Sequence, residues 1–446
     1  EGGKITLKTN LSHKLLTEYF LFPRLAAHEG DPQIASHEGP IYRLRMPDFP
    51  YEQIALQSWG YDPSLALLKI QERKGAVPEP VVDLMDFEID GRKILAGFAK
   101  LILIVLAGTF LGARLFSERT VLGFLTTSFL VGAVLSTLLA MTANLFCFAW
   151  NERFQYWMLF FLSLPGIFTI RSWKFTREPF GLAGLLVLMF FGLMFLKNFL
   201  SPIAGWDACA IYGTKAKAIF AFQDLSMLKL FGHPFYPPLL PVVMAQLGVG
   251  GEAAVNILFP LISLCLYAVL YEALLETRFP SWLKRVLPLL IFSSPIFLYF
   301  SLLGYANLAL TVFVTKAVFI FARSEREDLS KNWLAASWMM MGAILVRPDG
   351  IYYWIYLVLI LASSFKKRGR EKFWLLIPLG VLLFWRWFCQ MKMGIHESAL
   401  GHYFAATSDR FVQVWNPDYL KEFFALLFQF TLWPSFWWGI IPACFV

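Results

Sequence analysis

The chain has 446 residues, of which 58% are apolar and 16% charged, against roughly 45–50% and about 25% in an ordinary soluble domain. That balance excludes a plain soluble enzyme and makes the membrane span the unit of counting, in place of the globular domain of about 150 residues. The net charge of +8 does not form the stripe that a nucleic acid would read, so no nucleic-acid partner is expected.

Lys and Arg instead fall in clusters between apolar blocks, including Arg171/Lys174/Arg177, Arg278/Lys284/Arg285 and Lys366/Lys367/Arg368/Arg370. The positive-inside rule gives such clusters to cytoplasmic loops. The five cysteines lie far apart and form no C-x-x-C pair, so neither a zinc site nor a disulfide framework is indicated.

In chain order, residues 1–93 are rich in charge, Pro and His and lack any apolar run near the roughly 18 residues that a span needs. They form a soluble or interfacial segment. The chain begins at Glu1, not Met, and stops within the apolar stretch 431–446. Truncation at both ends, with loss of an upstream signal or anchor, is therefore the expectation.

The spans predicted next are 94–115, 121–146, 155–170, 180–199, 252–275, 286–302, 307–323, 373–390 and 424–446. Segments 333–346 and 351–364 are each too short to cross about 30 Å alone. Broken by Arg347-Pro348-Asp349-Gly350, they predict a helical hairpin whose polar tip lies in or near the membrane. Segment 238–249, short and behind prolines, predicts a re-entrant or interfacial helix. Counting parity back from the basic loops puts 171–178, 277–285, 324–332 and 365–372 in the cytoplasm, and 200–237, 303–306, 391–422 and the N-terminal segment outside.

Chemistry concentrates in the outer loop after the span at 180–199. Trp206-Asp207 puts a carboxylate at the mouth of an apolar bundle, where partial desolvation raises a pKa and where a base could take a proton from a hydroxyl. The alternative is an interfacial Trp beside a solvated Asp. Lys215 and Lys217 follow on the same loop, as phosphate contacts or as a solvated helix face. His233 and Tyr236 precede a proline cluster that sets up a helix start.

Two arginines fall at membrane depth: Arg347 at the hairpin tip and Arg386 within Trp385-Arg386-Trp387. Both are costly there unless they face a cavity, a partner or headgroups. A phosphate suits the planar guanidinium fork, with snorkelling as the rival for Arg386 and a structural pair with Asp349 or Glu residues the rival for Arg347. His396-Glu397 with His402 has spacing i and i+6, roughly 240° apart on a helix, so no metal site is assigned. Walker, G-x-G-x-x-G and G-x-S-x-G patterns are missing.

The order Trp206-Asp207, Lys215-Ala216-Lys217, Tyr236-Pro237-Pro238-Leu239, Gly304-Tyr305-Ala306-Asn307-Leu308 and Arg347-Pro348-Asp349-Gly350 resembles bacterial integral-membrane glycosyltransferases of the GT-C superfold. That group includes protein O-mannosyltransferases and the aminoarabinose transferases of lipid A. The resemblance covers roughly residues 180–446. It implies an all-α polytopic membrane protein, a GT-C-like multi-span helical bundle with a soluble N-terminal segment. The division would be 1–93 extracytoplasmic, 94–179 accessory helices and 180–446 the transferase module.

The implied activity is transfer of a sugar, with inversion, from a polyprenyl-phosphate donor to a glycan, lipid or protein acceptor outside the bacterial inner membrane. Asp207 matches the family's essential acidic residue and would be the general base. Arg347, Arg386, Lys215 and Lys217 would bind donor phosphate, and Trp206, Tyr212, His233, Tyr236 and Asn307 would line the substrate pocket. At Asn307 the family usually carries Asp; Asn still hydrogen-bonds but cannot ionise. No cofactor is required by the resemblance, which leaves a divalent cation open. The rival classes are a secondary transporter or lipid flippase, and a family member that has become a non-catalytic assembly subunit.

Overall fold

The computed structural model describes residues 91–116, 118–170, 181–200, 208–231, 233–248, 251–292, 294–327, 331–363 and 370–395, together with short strands among the first 83 residues. Strands β1 Lys4–Lys8, β2 Gln33–Glu38, β3 Ile41–Arg45 and β6 Val81–Asp83 form a sheet in the order β2-β3-β1-β6, and β4 Ile54–Ala55 pairs with β5 Leu67–Leu68. The Lys4-Ile5-Thr6-Leu7-Lys8 alternation has the two-residue period of a half-buried strand. It pairs antiparallel with β3 from Lys4↔Arg45 to Lys8↔Ile41.

From residue 91 on, the described chain is helical. Six stretches are long and apolar enough to cross a membrane: Gly91–Leu115, Val121–Leu145, Gly181–Phe199, Ala253–Leu274, Ala306–Arg323 and Phe373–Met393. The chain is thus a multi-pass membrane protein, helical because hydrocarbon forces every backbone N–H and C=O to find a partner within its own segment. The expected span at 424–446 lies outside the described residues.

Helices α1 (Gly91–Leu115) and α2 (Val121–Leu145) pack through small residues. A Cβ on Gly108 would stand 1.9 Å from the Ser128 carbonyl oxygen, and one on Gly132 would stand 1.9 Å from that of Ile104. Both glycines are needed for this approach, which lets dispersion act between backbones where no hydrophobic effect operates. Gly132→Ala is expected to destabilise the protein by about 1–3 kcal/mol, read as a lowered unfolding midpoint in detergent. An unchanged midpoint would show that the helices separate freely.

Helix α3 (Glu152–Ile170) forms where a span was expected, but with Glu152 and Arg153 in its first turn and Pro165 inside it, it falls short of the apolarity of a spanning helix. After α4 (Gly181–Phe199), a π-helix at Ala208–Gly213 runs into α5 (Thr214–Phe222). Helix α6 (Leu239–Leu247) is buried at every residue. The short segment behind the prolines is therefore part of the packed interior, not an interfacial strip.

Helices α7 (Gly251–Asn256) and α8 (Leu258–Leu274) follow. The single span expected at 286–302 is instead a broken pair, α9 (Ser281–Phe292) and α10 (Pro295–Leu303), bent by 75°. Ser294 is extended and Pro295 opens α10 at its first turn; proline has no N–H to continue the preceding helix, so the chain restarts there.

Helix α11 (Ala306–Glu327) is followed by the expected hairpin, α12 (Lys331–Val346) and α13 (Gly350–Ser363). A 3₁₀ turn at Arg370–Leu376 leads into α14 (Ile377–Met393). Buried share marks the centre of the bundle: 72% of the span window in α2 and 83% in Ala253–Leu274, against 22% in α4.

Contacts also settle which ends share a side. Arg119, in the turn before α2, and Arg323 both reach Glu276, at 3.5 and 3.4 Å. The α1–α2 turn therefore sits at the same end as loop 277–285, which is the placement expected by parity. Asn144 at the other end of α2 accepts from the Leu225 N–H at 2.5 Å, and Trp150 N–H donates to the Gln223 carbonyl at 2.7 Å. The loop carrying Lys215 and Tyr236 thus lies at the opposite end.

Candidate functional site

The first group of predicted residues is organised by the hairpin tip. Helix α12 closes with Arg347 N–H on Ala343 O at 3.2 Å, and Gly350 N–H returns to Arg347 O at 3.0 Å. A Cβ on Gly350 would stand 2.4 Å from Ala343 O, so only glycine lets the chain reverse this tightly. The Arg347 guanidinium pairs with Asp349 at 2.8 Å and donates to the Asn307 side-chain oxygen. Asn307 itself lies in the first turn of α11, after Gly304 in the left-handed region at φ +77°. The guanidinium at this end of the bundle thus touches one carboxylate and one neutral amide, and it remains 20% exposed.

The second group forms where α5 meets the proline loop. Lys215, expected on an exposed or phosphate-binding face, is 1% exposed. Its Nζ donates to the His233 carbonyl at 2.6 Å and sits 5.4 Å from the centre of the Tyr236 ring. The same carbonyl accepts from Tyr236 N–H at 2.9 Å, and the rings of His233 and Tyr236 lie 4.9 Å apart. His233 holds φ +53°, a strained value for a non-glycine residue. Trp385 on α14 donates to the Phe235 carbonyl at 2.9 Å and fixes the far side of the loop. Tyr212, expected to line the substrate pocket, is 2% exposed and lies in the interior beside the loop. Lys217 is half-buried and already partnered.

Lys215, expected as a phosphate contact or on a solvated helix face, instead lies in the interior against the proline loop. Burial lowers its pKa from 10.5 to about 7. The unfolded chain therefore holds this proton up to about pH 10.5 while the folded chain releases it near 7. The cost of burying the charge is fully present below pH 7 and disappears as pH rises toward 10.5. Relative to Lys215→Met, the wild type should gain up to about 1.4 kcal/mol per pH unit in that window. Denaturation midpoints of the two proteins between pH 6 and about 10 check this; parallel curves would contradict it.

Arg386, expected to meet a phosphate or to snorkel, is exposed. One residue, about 100° of helix, separates it from Trp385, and this turns Trp385 inward and leaves Arg386 exposed beside Trp387. It does not join the Arg347 cluster through any contact among the described residues. Trp206, Asp207 and the His396/Glu397/His402 segment lie outside the described residues. Ala208, the residue after Asp207 in the chain, is fully buried.

Among the described residues no group of three or more His, Cys, Asp or Glu side chains is placed to hold a metal ion, and Cys147, Cys265 and Cys389 are free thiols. An open cavity of about 530 Å³ at the same end as the Lys215 loop is lined by Asn151, Glu152, Arg153, Tyr156 and Gln223, none of them a residue the motifs had singled out.

Not anticipated from the motifs is a charged cluster at the opposite end, where Lys316 of α11 pairs with Glu118 at 2.6 Å, both almost fully buried. The signal was available as single charges inside apolar blocks, which membrane cost makes informative. Comparison with protein-family models, with curated proteins and with solved structures finds no match to this chain.

Proposed function

We propose that the protein is a GT-C-like membrane glycosyltransferase that moves a sugar from a polyprenyl-phosphate donor to an acceptor hydroxyl on the extracytoplasmic side. The observation that supports this reading best is Arg347, a half-buried guanidinium at the outer end of a hairpin, held by Asp349 and by the neutral Asn307. Of these two partners one is a neutral amide where the family pattern has a carboxylate, so together they bring one negative charge and not two, which suits an arriving phosphate.

In this reading Asp207 removes the acceptor proton. The acceptor oxygen forms a bond to the anomeric carbon from the face opposite the lipid phosphate. The bond from that carbon to the phosphate oxygen breaks, and its electron pair leaves with the phosphate, where Arg347 offsets the charge. His233 and Tyr236, partly exposed on a loop pinned by Lys215 and Trp385, would present rings to the sugar.

Arg347→Gln in proteoliposomes carrying a labelled sugar on polyprenyl phosphate tests the role. Loss of a charge-assisted contact should raise KM for the donor about 10- to 100-fold, with Arg347→Lys intermediate because it keeps charge but not the fork. Unchanged KM and kcat in both variants would remove Arg347 from the site.

A further inference from the structure

At the end of the bundle that parity places in the cytoplasm, a cavity of about 340 Å³ opens between the α1–α2 turn, α8, α11 and the start of α12. Glu118, Glu272, Glu276, Lys316, Arg323 and Asn332 line it. Lys316 lies seven residues inside Arg323, about 10 Å deeper along the helix, so the cavity runs from the headgroup level into the hydrocarbon. Ionisable groups at that depth are retained where they serve a partner or a pathway.

The charges on its wall are unequally satisfied. Glu118 is matched by Lys316 at 2.6 Å, and Glu276 is shared by Arg119 and Arg323. Among the described residues Glu272 accepts from neutral donors, namely the N–H groups of Thr120 at 2.8 Å and Arg119 at 3.3 Å and the Thr120 hydroxyl, with the Lys316 cation acting on it only from a distance. No ion pair among the described residues neutralises it. Asn332 is 6% exposed and faces the same space, so its carboxamide is a polar group on the cavity wall.

The remaining wall is apolar, with Phe116, Phe319 and Ile320. Phe319 is 37% exposed next to Val318 at 45%, so this wall continues onto the lipid-facing side of α11. An occupant that fits brings a hydrogen-bonding cation for Glu272 and Asn332 and an apolar tail for Phe116, Phe319 and Ile320. Free metal cations supply only the first of these. Choline headgroups lack N–H donors.

We infer that this cavity binds the headgroup of a phospholipid carrying a primary ammonium, taken from the cytoplasmic leaflet. The ammonium donates to Glu272 and Asn332, the phosphate meets Arg323, and an acyl chain leaves along Phe319. This site is at the opposite end from the proposed transferase centre and does not depend on that reading.

The test uses the full chain in nanodiscs containing equal phosphatidylethanolamine and phosphatidylcholine, with retained lipid read by native mass spectrometry. The wild type should retain the ethanolamine lipid on the order of tenfold over the choline lipid, the value of one charge-assisted contact. Glu272→Gln should remove most of that preference, and Ala273→Leu, which fills the cavity from a wall position without touching a charge, should do the same. Equal retention of both lipids by the wild type overturns the inference whatever the variants do. Selective retention that survives both substitutions overturns it too, since the lipid would then sit elsewhere.

Discussion

Asp207→Asn is expected to lower sugar transfer about 10²- to 10⁴-fold, the range that a positioned general base contributes, while the protein still inserts and elutes as a folded species. The substitution keeps size and hydrogen-bonding shape and removes only the capacity to take a proton. Folding should be spared because the substitution keeps the size of the side chain and leaves the buried Ala208, Ile211 and Tyr212 of this stretch untouched. Asp207→Glu should recover part of the activity by restoring a carboxylate at a shifted position. Wild-type turnover by Asp207→Asn would assign the base to another group and leave Trp206-Asp207 as an interfacial pair.

The second large effect concerns stability. Lys316→Met leaves Glu118 5% exposed with a single remaining side-chain donor, the Thr127 hydroxyl at 2.7 Å. A buried carboxylate stripped of its cation should cost about 3–5 kcal/mol. Glu118→Gln combined with Lys316→Met should recover most of the loss, because a polar amide can keep the Thr127 contact without a charge to compensate. The measurement is the unfolding midpoint in detergent for both single variants and the pair. Additive losses in the double variant would mean that the two side chains act independently.

How much of this could be read beforehand depends on sequence range. The spans at 121–146 and 307–323 were legible because a run of apolar residues near the bilayer's thickness leaves helix as the only satisfied backbone. The hairpin tip was legible because Pro348 and Gly350 punctuate it locally. The break at Ser294-Pro295 was missed, since a proline in an apolar block marks a kink or a new first turn equally well until the neighbours are known.

The burial of Lys215 was missed for a related reason. A lysine in an outer loop is expected in water, and only the packing of α5 against the proline loop places it under Tyr236. The partnership of Arg347 with Asn307 joins residues 40 positions apart, and that of Glu118 with Lys316 joins residues 198 apart. Local pattern can mark each of these as costly at membrane depth, but it cannot say which charge meets which.

The bent pair α9–α10 and the buried Glu118–Lys316 pair give the rival class its structural support, since transporters use broken helices and buried charges. Sealed proteoliposomes with labelled sugar on polyprenyl phosphate and an acceptor on the outer face separate the two most directly. The account predicts label in covalent linkage to the acceptor, dependent on Asp207. Label that crosses the membrane while still attached to its lipid or as free solute, with none transferred, would contradict it.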